Sequence, residues 1–423
     1  AKGVLNMLMM SVSAMGVVGI LWVLYGYSVA FGNDVLGTGF GGLLGNPTQY
    51  WGLKGLIGGT YLQAATDGAP PVNIPLAGTI PQTVFVAFQA MFAIITVALI
   101  SGALADRLRF GPWLLFAGIW ATLVYFPVAH WVFAFNGVTG EKGGWLANNL
   151  HVIDFAGGTA VHINSGAAGL ALCIVLGRRR GWPATAMRPH NLPFTMLGAG
   201  LLWFGWFGFN AGSAVASNGI AGATFITTFT ATATAMFGWL LVERIRDGKG
   251  TSLGAASGIV AGLVAITPSC SSVNILGAIV VGAAAGIICA LAVGMKYRFG
   301  FDDSLDVVGV HLVGGLVGTL LVGLMLTPES PASVTGTGAT GLFYRGGWHQ
   351  LGVQAIGAFS VMAYSFTVAS IIALVIKFTL GLRATAEDEE LGIDEAEHAE
   401  TAYDFASVGG GSALSMADAG KEA

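Results

Sequence analysis

Two histidines lie within long apolar, glycine-rich segments, each eight residues after an aspartate. The first segment reads "DFAGGTAVHIN", with Asp154 and His162, and the second reads "DSLDVVGVH", with Asp303 and His311. An ionisable side chain inside a bilayer costs several kcal/mol unless it is buried and partnered, so such residues are functional candidates. Two neighbouring imidazoles, one donating an N–H to the other, can take or pass a proton while staying neutral on average. The sequence therefore predicts a paired-histidine site.

The elements that carry these segments are predicted to be membrane-spanning helices. Of the 423 residues, 54% are hydrophobic and only 9% are charged, whereas an ordinary soluble domain has about 25% charged residues. The mean hydropathy is +0.74, and apolar runs of about 20 residues, long enough to cross the hydrocarbon core, recur along the chain. The 65 glycines suit helices that pack closely through small residues. These features predict an all-α, polytopic membrane protein.

Ten spans are predicted, and the basic residues between them predict the orientation. Of the 18 Lys and Arg residues, three lie on the outer side (Lys54, Lys142 and Arg345) and the other fifteen lie on the side of the first residue. Cytoplasmic segments carry such an excess, so we expect the cytoplasmic membrane as location and both ends of this chain in the cytoplasm. The predicted spans are 4–31, 81–105, 112–135, 155–177, 193–217, 219–243, 253–270, 275–296, 305–326 and 351–377.

This orientation relates the two histidine segments to each other. The span of His162 runs from outside to inside and the span of His311 runs from inside to outside, which is the pattern of an inverted repeat with its functional site near the midplane. We expect each histidine about two turns inside its span. The other histidines fall at span ends, in loops or near the C-terminus, where surface or capping roles are expected: His130, His151, His190, His349 and His398.

Several other chemistries do not fit the residue pattern. No third ligand stands at a suitable spacing from the histidines, and metal sites usually need three or four ligands. There is no nucleophile–base signature and no phosphate-binding loop, so we expect neither an enzyme nor a cofactor. The three cysteines have no metal-like spacing and are expected to be packing residues without disulfides: Cys173, Cys270 and Cys289.

Aromatic residues are the remaining candidates for contact with a substrate. In "VFVAFQAMFAI", Phe88 and Phe92 are one helical turn apart and share a face. In "WFGWFGFNAGSA", five aromatic residues precede Asn210 and Ser213. Most membrane aromatics face lipid or form an interfacial belt. Aromatic faces beside a hydroxyl nevertheless suit a small desolvated cation, because a cation–π contact contributes up to about 2 kcal/mol where water is excluded.

At this point the chain resembles a known family over residues 1 to about 405. The motifs that carry the resemblance are "ILWVLYGYSVAFG", "ITVALISGALADRLRF", "DFAGGTAVHINSGAAGL", "PHNLPF", "GWFGFNAGSA", "ASGIVAGLVAITPSC" and "DDSLDVVGVHLVGG", in this order. They resemble the ammonium transporters, which are related to the Rhesus glycoproteins. The resemblance implies a homotrimer in which each subunit has its own narrow hydrophobic pore, with an outer site that recruits ammonium, a phenylalanine gate and twin histidines.

Matched residue by residue, the resemblance implies a role for each candidate. The acid near the outer mouth, Asp154, is implied to support the recruitment site without touching the ion. The other matches are the twin histidines His162 and His311, the gate Phe92 and Phe209, the recruitment-site serine Ser213, the outer aromatic Phe88, and the pore-lining tryptophan Trp206.

The chain departs from the family pattern at the mouth and at its beginning. Where the family usually has a mouth tryptophan, counting from Phe92 gives Phe133, so the outer site is expected to bind ammonium less well unless Trp131 or Trp145 compensates. The stretch "NGVTGEKGG" lengthens the outer loop before Asp154. The family's chains have eleven spans, and the helix before "VLNMLMMSVSAMGVVGILWVLYGYSVAFG" is absent here. We expect an incomplete or trimmed chain, with trimer stability affected more than pore chemistry.

The C-terminal segment has a different character. Residues 384–423 are acidic, polar and rich in Gly and Ser, which fits either a solvated, largely disordered tail or a docking segment for a cytosolic regulator. The motif "ELGIDEAEHAETAYDF" resembles the family's cytoplasmic segment, which implies docking of a PII signalling protein, although Ala399 stands where the family often has glycine. We therefore divide the chain into a transmembrane domain, 1–383, and a regulatory tail, 384–423.

The function expected from these observations is passage of ammonium or ammonia across the membrane. Ammonium is captured at the mouth, loses a proton near the gate, and crosses as ammonia past the histidines, whereas potassium has no proton to shed and is rejected. Two alternatives stay open: a Rhesus-type channel for neutral NH3 or CO2, and an ammonium sensor that acts through the tail. No nucleic-acid partner is expected.

Overall fold

The computed structural model describes residues 2–36, 41–57, 75–185, 187–331, 333–334 and 338–403, most of which are helical. Ten of the described helices correspond to the ten predicted spans. Nine are at least 18 residues long and apolar enough to cross a membrane, and the seventh is a shorter apolar helix. In chain order they are α1 (Val4–Phe31), α2 (Gln82–Leu104), α3 (Phe110–Phe133), α4 (Gly158–Leu176), α5 (Leu192–Gly212), α6 (Gly219–Asp247), α7 (Ser252–Ile266), α8 (Ile275–Phe299), α9 (Val308–Met325) and α10 (His349–Thr379). The prediction of an all-α, polytopic membrane protein is confirmed.

The connections contain only short elements. Two strands, β1 (Leu76–Ala77) and β2 (Ile80–Pro81), pair in antiparallel fashion just before α2, with Leu76 opposite Pro81. A four-residue helix, Trp145–Asn148, lies in the loop before α4. Two tail helices, α11 (Ala386–Leu391) and α12 (Ile393–His398), follow α10.

Helices α4 and α9 share a local feature at the start of each. Both begin with a π-helical stretch, Gly158–Ile163 in α4 and Val308–Leu312 in α9, and each stretch contains one of the two histidines. A π-helical stretch has a wider turn than an α-helix and is found mostly at functional sites. The matched position of the two stretches agrees with the internal repeat seen in the sequence.

The close approach of α4 and α9 depends on two glycines. A Cβ atom at Gly166 would lie 2.5 Å from the backbone nitrogen of Leu312, and one at Gly315 would lie 3.0 Å from the carbonyl oxygen of Gly158. Only glycine therefore lets the two backbones pack at this distance, as is common between membrane helices. Helix α10 packs along both of them.

The first part of the tail is folded and packs on the ends of the membrane helices. Asp394 of α12 accepts a hydrogen bond from the backbone nitrogen of Asn6 at 2.8 Å, and the Nε2 atom of His398 lies 3.0 Å from the Asn6 side-chain oxygen. The Arg180 guanidinium lies 2.7 Å from the Glu390 carboxylate. The reason for the order is that the first turn of α1 has free N–H groups and no side-chain cap of its own, and Asp394 supplies an acceptor. The part of the tail after residue 403 lies outside the described residues.

A buried ion pair joins the segment after α4 to the segment before α9. Arg179 binds both carboxylate oxygens of Asp302, at 2.9 and 2.8 Å, and both side chains are buried. Burial alone would raise the pKa of Asp302, but the hydrogen bonds from Arg179 outweigh it and hold that pKa below its usual value. Arg107 donates a further hydrogen bond to the Asp302 carbonyl oxygen. The ends of the two histidine helices are thereby fixed to each other.

We expect Asp302→Asn to lower the free energy of unfolding by about 3–5 kcal/mol, because the substitution leaves the buried Arg179 guanidinium with only the exposed Asp106 carboxylate, at 3.6 Å, as counter-charge. Chemical unfolding of the purified protein in detergent measures the change. The matched control is Asp247→Asn, which removes a carboxylate from the exposed Arg246–Asp247 pair and should leave stability unchanged within error. Equal losses in the two variants would contradict the assignment.

Candidate functional site

The two histidines are in direct contact. The Nδ1 atoms of His162 and His311 are 3.2 Å apart, the ring centroids are 5.3 Å apart, and both side chains are buried. One Nδ1 atom must carry a hydrogen and donate a hydrogen bond to the other Nδ1 atom. The two rings must therefore differ in tautomer or in protonation. The Nε2 atom of His162 is buried and has no hydrogen-bond partner among the described residues. This nitrogen is available to a polar guest.

Asp154 positions His162 by capping the start of α4. Its Oδ1 atom accepts hydrogen bonds from the backbone nitrogens of Gly157 and Gly158, both at 2.7 Å, and its Oδ2 atom accepts one from Thr159 at 2.7 Å. The Thr159 hydroxyl also donates to Oδ2. Gly157 has a φ of +117°, which lets the chain turn into the helix at this point. The free N–H groups at the buried helix start are thus satisfied by one carboxylate.

Asp303 has the equivalent position in the second repeat. Its carboxylate oxygens accept from the backbone nitrogens of Val307 at 3.1 Å and Val308 at 2.7 Å. The predicted spans, which start at 155 and 305, place each histidine about two turns after the start, whereas the helices begin at Gly158 and Val308. Because the segments after the aspartates are cap and turn, the helices begin late, and the histidines lie about one turn inside α4 and α9.

Aromatic rings extend the histidine pair in one direction. The Trp206 ring stacks on His162 with centroids 5.3 Å apart and an interplanar angle of 18°. The Phe209 ring also stacks on His162, at 6.1 Å, and packs against Phe92 at 4.3 Å and 29°. The predicted gate residues and the predicted tryptophan are therefore brought together with the histidines in one column of rings.

A cavity of about 240 Å³ lies at the end of this column. Of the residues predicted for the mouth, Phe133 and Ser213 line it together with Phe92. Phe88 does not, because its ring packs edge-to-face on Phe92 at 4.9 Å and faces Gly212.

The two tryptophans considered as substitutes at the mouth are not among the residues that line this cavity. Trp131 donates its indole N–H to the Leu43 carbonyl oxygen at 2.8 Å, and its ring packs on Trp145 at 5.9 Å. Phe133 is therefore the aromatic side chain that takes the position at the mouth cavity, and neither indole adds to it.

Sequence reasoning missed a polar residue of the same cavity. Gln89 lines it, is 7% exposed, and has a buried Oε1 atom without a hydrogen-bond partner among the described residues. The Ser213 hydroxyl donates to the Phe209 carbonyl oxygen at 2.9 Å, which leaves its lone pairs free to accept. The signal for Gln89 was present in the sequence, since it lies between Phe88 and Phe92 and is a polar residue in an apolar helix.

A second missed feature holds the tryptophan in place. The Trp206 indole nitrogen donates to the Thr267 hydroxyl oxygen at 3.0 Å, and that hydroxyl lies 3.2 Å from the Asn210 amide oxygen. The Asn210 amide nitrogen donates to Thr228 at 3.1 Å. These buried groups connect α5 to α6 and to the end of α7, so the orientation of the Trp206 ring is fixed by hydrogen bonds as well as by packing.

A second cavity, of about 520 Å³, reaches His311 from the other side. Its lining includes charged residues at the ends of the helices, among them Asp106, Arg179 and Asp306. The two cavities are thus separated by Phe92, Phe209 and the two histidines. Among the described residues there is no group of three or more His, Cys, Asp or Glu that could hold a metal ion.

Comparison with known proteins gives a consistent result. The sequence profile of the Ammonium Transporter Family matches residues 1–403. The ammonium transporter of Mycobacterium tuberculosis is 70% identical over 417 residues, which are 98% of this chain and 86% of that protein. The crystal structure of Saccharomyces cerevisiae Mep2 gives a TM-score of 0.75 at 32% identity, covering 90% of this chain and 79% of that one. A solved structure described as a Sensor Amt Protein gives 0.80 at 27% identity, covering 94% and 91%.

The environment of Asp303 predicts a pH dependence of stability. Burial, and then the nearby Asp306, raise the pKa of Asp303 to about 6 in the folded protein, against about 3.9 for an aspartate in an unfolded chain. The folded state therefore holds the proton more tightly, and this contribution is complete below about pH 4 and is lost as the pH rises through about 6. We expect the thermal midpoint in detergent to fall across this window.

The control for this prediction is Asp303→Asn, which cannot titrate. Its thermal midpoint should fall less steeply between about pH 4 and pH 6. Some slope should persist, because burial also raises the pKa of Asp306. A slope equal to that of the unsubstituted protein would assign the effect to other groups.

Proposed function

The chain belongs to the ammonium transporter family, and we propose that it moves ammonium across the cytoplasmic membrane through a pore centred on His162 and His311. As a multi-pass transport protein it is not an enzyme. The observation that carries the proposal is the column of rings between two cavities, with Phe92 and Phe209 toward one cavity and His311 at the other. A pore of this kind excludes water and hydrated ions but leaves polar contacts for a small guest.

Ammonium is captured in the 240 Å³ cavity. The Ser213 hydroxyl and the Gln89 amide oxygen are acceptors for its N–H groups, and the Phe92 and Phe133 rings offer faces to its charge. Because Phe has a weaker quadrupole than Trp, hydrogen bonding carries more of the binding than cation–π contact at Phe133. Phe88 acts by supporting the Phe92 ring.

Ammonium loses a proton at the gate. The Phe92 and Phe209 rings are stacked at 4.3 Å, and a bare cation there would have no compensating charge, which costs several kcal/mol in an apolar environment. NH4+ dissociates there into NH3 and a proton. The NH3 donates to the free Nε2 atom of His162 as it passes. The proton either returns to the outer side or follows through the imidazole pair.

The arrangement in the cell follows from the charge distribution and from the family. The excess of basic residues on one side supports an orientation with both ends of this chain in the cytoplasm. Residues 1–383 then form the transmembrane domain and 384–423 a cytoplasmic regulatory tail, whose helices α11 and α12 pack on the inner ends of the membrane helices. Assembly as a homotrimer and docking of a PII protein on the tail are proposed from the family resemblance.

The histidine pair is tested by ion selectivity. In proteoliposomes, His162→Ala should pass a potassium current that the unsubstituted protein does not, because removal of the imidazole widens the constriction beside His311 and leaves room for a hydrated ion. The matched control is His349→Ala, an exposed histidine at the start of α10, which should behave as the unsubstituted protein. Potassium conduction by His162→Ala no greater than that of the control would remove the selectivity role. Methylammonium uptake without substrate-evoked current would favour neutral transport.

The role of the residues that line the mouth cavity is tested by the ammonium concentration that gives half-maximal transport current. Gln89→Leu and Ser213→Ala should each raise the ammonium concentration for half-maximal current by about tenfold, since each removes one hydrogen bond to a charged guest, worth about 1.5 kcal/mol. Phe133→Leu should raise it more than Phe88→Leu does, because Phe133 lines the cavity and Phe88 does not. The reverse order for the two phenylalanines would show that the recruiting surface lies on the other side of Phe92.

A further inference from the structure

A groove outside the column of rings takes no part in the proposed transport mechanism. It has a volume of about 740 Å³ and lies between α4, the end of α8 and α9. This volume is in the range of about 300–1,000 Å³ that ligand sites in proteins usually have. Its wall is apolar and includes Leu170, Ile174, Met295, Phe299, Leu312 and Leu316.

The groove opens on the outside of the helix bundle. Ile174 is 58% exposed and Phe299 is 66% exposed, and both belong to membrane-spanning helices. Exposed apolar side chains at this depth face hydrocarbon, so the groove suits an acyl chain. An open apolar groove of this kind does not by itself select one lipid over another.

A cationic residue at the end of the groove supplies selectivity. The Arg178 side chain lines the groove, and its Nε atom donates to the Gly300 carbonyl oxygen at 2.9 Å. A Cβ atom at Gly300 would lie 2.3 Å from Arg178 Nη2, so a larger residue there would displace the guanidinium. Neighbouring arginines are paired with carboxylates, Arg179 with Asp302 and Arg180 with Glu390. Arg178 has no carboxylate partner within 4.0 Å in the described part of the chain.

Aromatic residues place this charge at the level of the lipid headgroups. The Arg178 guanidinium lies 5.0 Å from the centroid of the Trp182 ring, and Trp182 stacks on Tyr297 at 5.9 Å and 3°. Tryptophan and tyrosine are enriched at the membrane–water interface, and an arginine stem follows the apolar surface while its charge stays at that interface. The terminal guanidinium nitrogens match the geometry of a phosphate.

We propose that this groove binds a phospholipid with an anionic headgroup, with one acyl chain against the apolar wall and the phosphate on the Nη atoms of Arg178. The only carboxylate in the lining, Asp302, is occupied by Arg179 and does not repel the headgroup. Basic pockets between membrane helices recur as sites for anionic lipid headgroups. The site borders the helices of both histidines, since Leu312 follows His311 directly and Leu170 lies on α4. It is separate from the pore and does not depend on the proposed transport mechanism.

Native mass spectrometry of the delipidated full chain in detergent tests the proposal, with phosphatidylglycerol and phosphatidylcholine of identical acyl chains as probes. We expect the first phosphatidylglycerol to bind at least fivefold more tightly than the first phosphatidylcholine. In Arg178→Gln this preference should disappear. Arg298→Gln is the matched control, because it removes an equal charge from Met295–Phe299, a segment that borders the groove through Met295 and Phe299, whereas Arg298 itself does not line the groove, and this variant should keep the preference.

A second variant tests the acyl chain. Ile174→Trp fills an exposed position of the wall and should weaken the first binding event of both lipids, with the protein remaining monodisperse on gel filtration. Equal affinity for the two headgroups, equal loss in both arginine variants, or unchanged binding by Ile174→Trp would each overturn the proposal. Binding confined to the monomer, with oligomers excluding the lipid, would assign the groove to a second copy of the chain and would also overturn it.

Discussion

The structure depends on how two helices can begin inside an apolar environment. The first N–H groups of a helix have no partner within the helix, and without water each one left unpaired is unfavourable. Asp154 and Asp303 supply the acceptors from directly before α4 and α9. A carboxylate is well suited because the positive end of the helix dipole stabilises its charge. Once both starts are fixed, His162 and His311 have determined positions one turn later.

The contact between the histidines then requires that the two helices approach closely. Gly166 and Gly315 allow it, since a Cβ at either position would meet the other helix at 3.0 Å or less. Because the two Nδ1 atoms are at hydrogen-bond distance, each histidine provides the hydrogen-bond partner for one ring nitrogen of the other, and the pair needs no net charge. The unpaired Nε2 atom of His162 is the polar group that the fold leaves open in the apolar column. A guest that donates one hydrogen bond and has no charge fits this requirement.

The sequence was sufficient for the parts that depend on hydrophobic length and on the internal repeat. The ten helices, the contact between the two histidines and the neighbouring rings of Phe92 and Phe209 were predicted from runs of apolar residues, the repeated D-to-H spacing and the family motifs. The starts of the two histidine helices were placed too early, because a spacing of eight residues does not reveal where a cap ends and a helix begins. Gln89 was missed because a polar residue on a helix shows its role only when the surrounding cavity is known.

Tertiary contacts decide the remaining features. Asp394 looked like one more acid in a solvated tail, yet it caps α1 through Asn6, a contact between residues nearly the whole chain apart. The role of the Thr267 hydroxyl cannot be predicted from the sequence, because this hydroxyl accepts a hydrogen bond from the Trp206 indole, which lies on another helix. Short-range patterns predict which helices exist, whereas pairings of this kind depend on how the helices assemble.

The two halves of the repeat differ in the polar and charged groups around the aspartate that precedes each histidine helix. Asp154 is surrounded by donors from α4, including the Thr159 hydroxyl. Asp303 is buried and accepts two backbone hydrogen bonds, and its burial, followed by the nearby Asp306, raises its pKa to about 6. The same motif is therefore surrounded by more hydrogen-bond donors on the side of His162 and lies nearer a second carboxylate on the side of His311. That second carboxylate, Asp306, also lines the cavity that reaches His311.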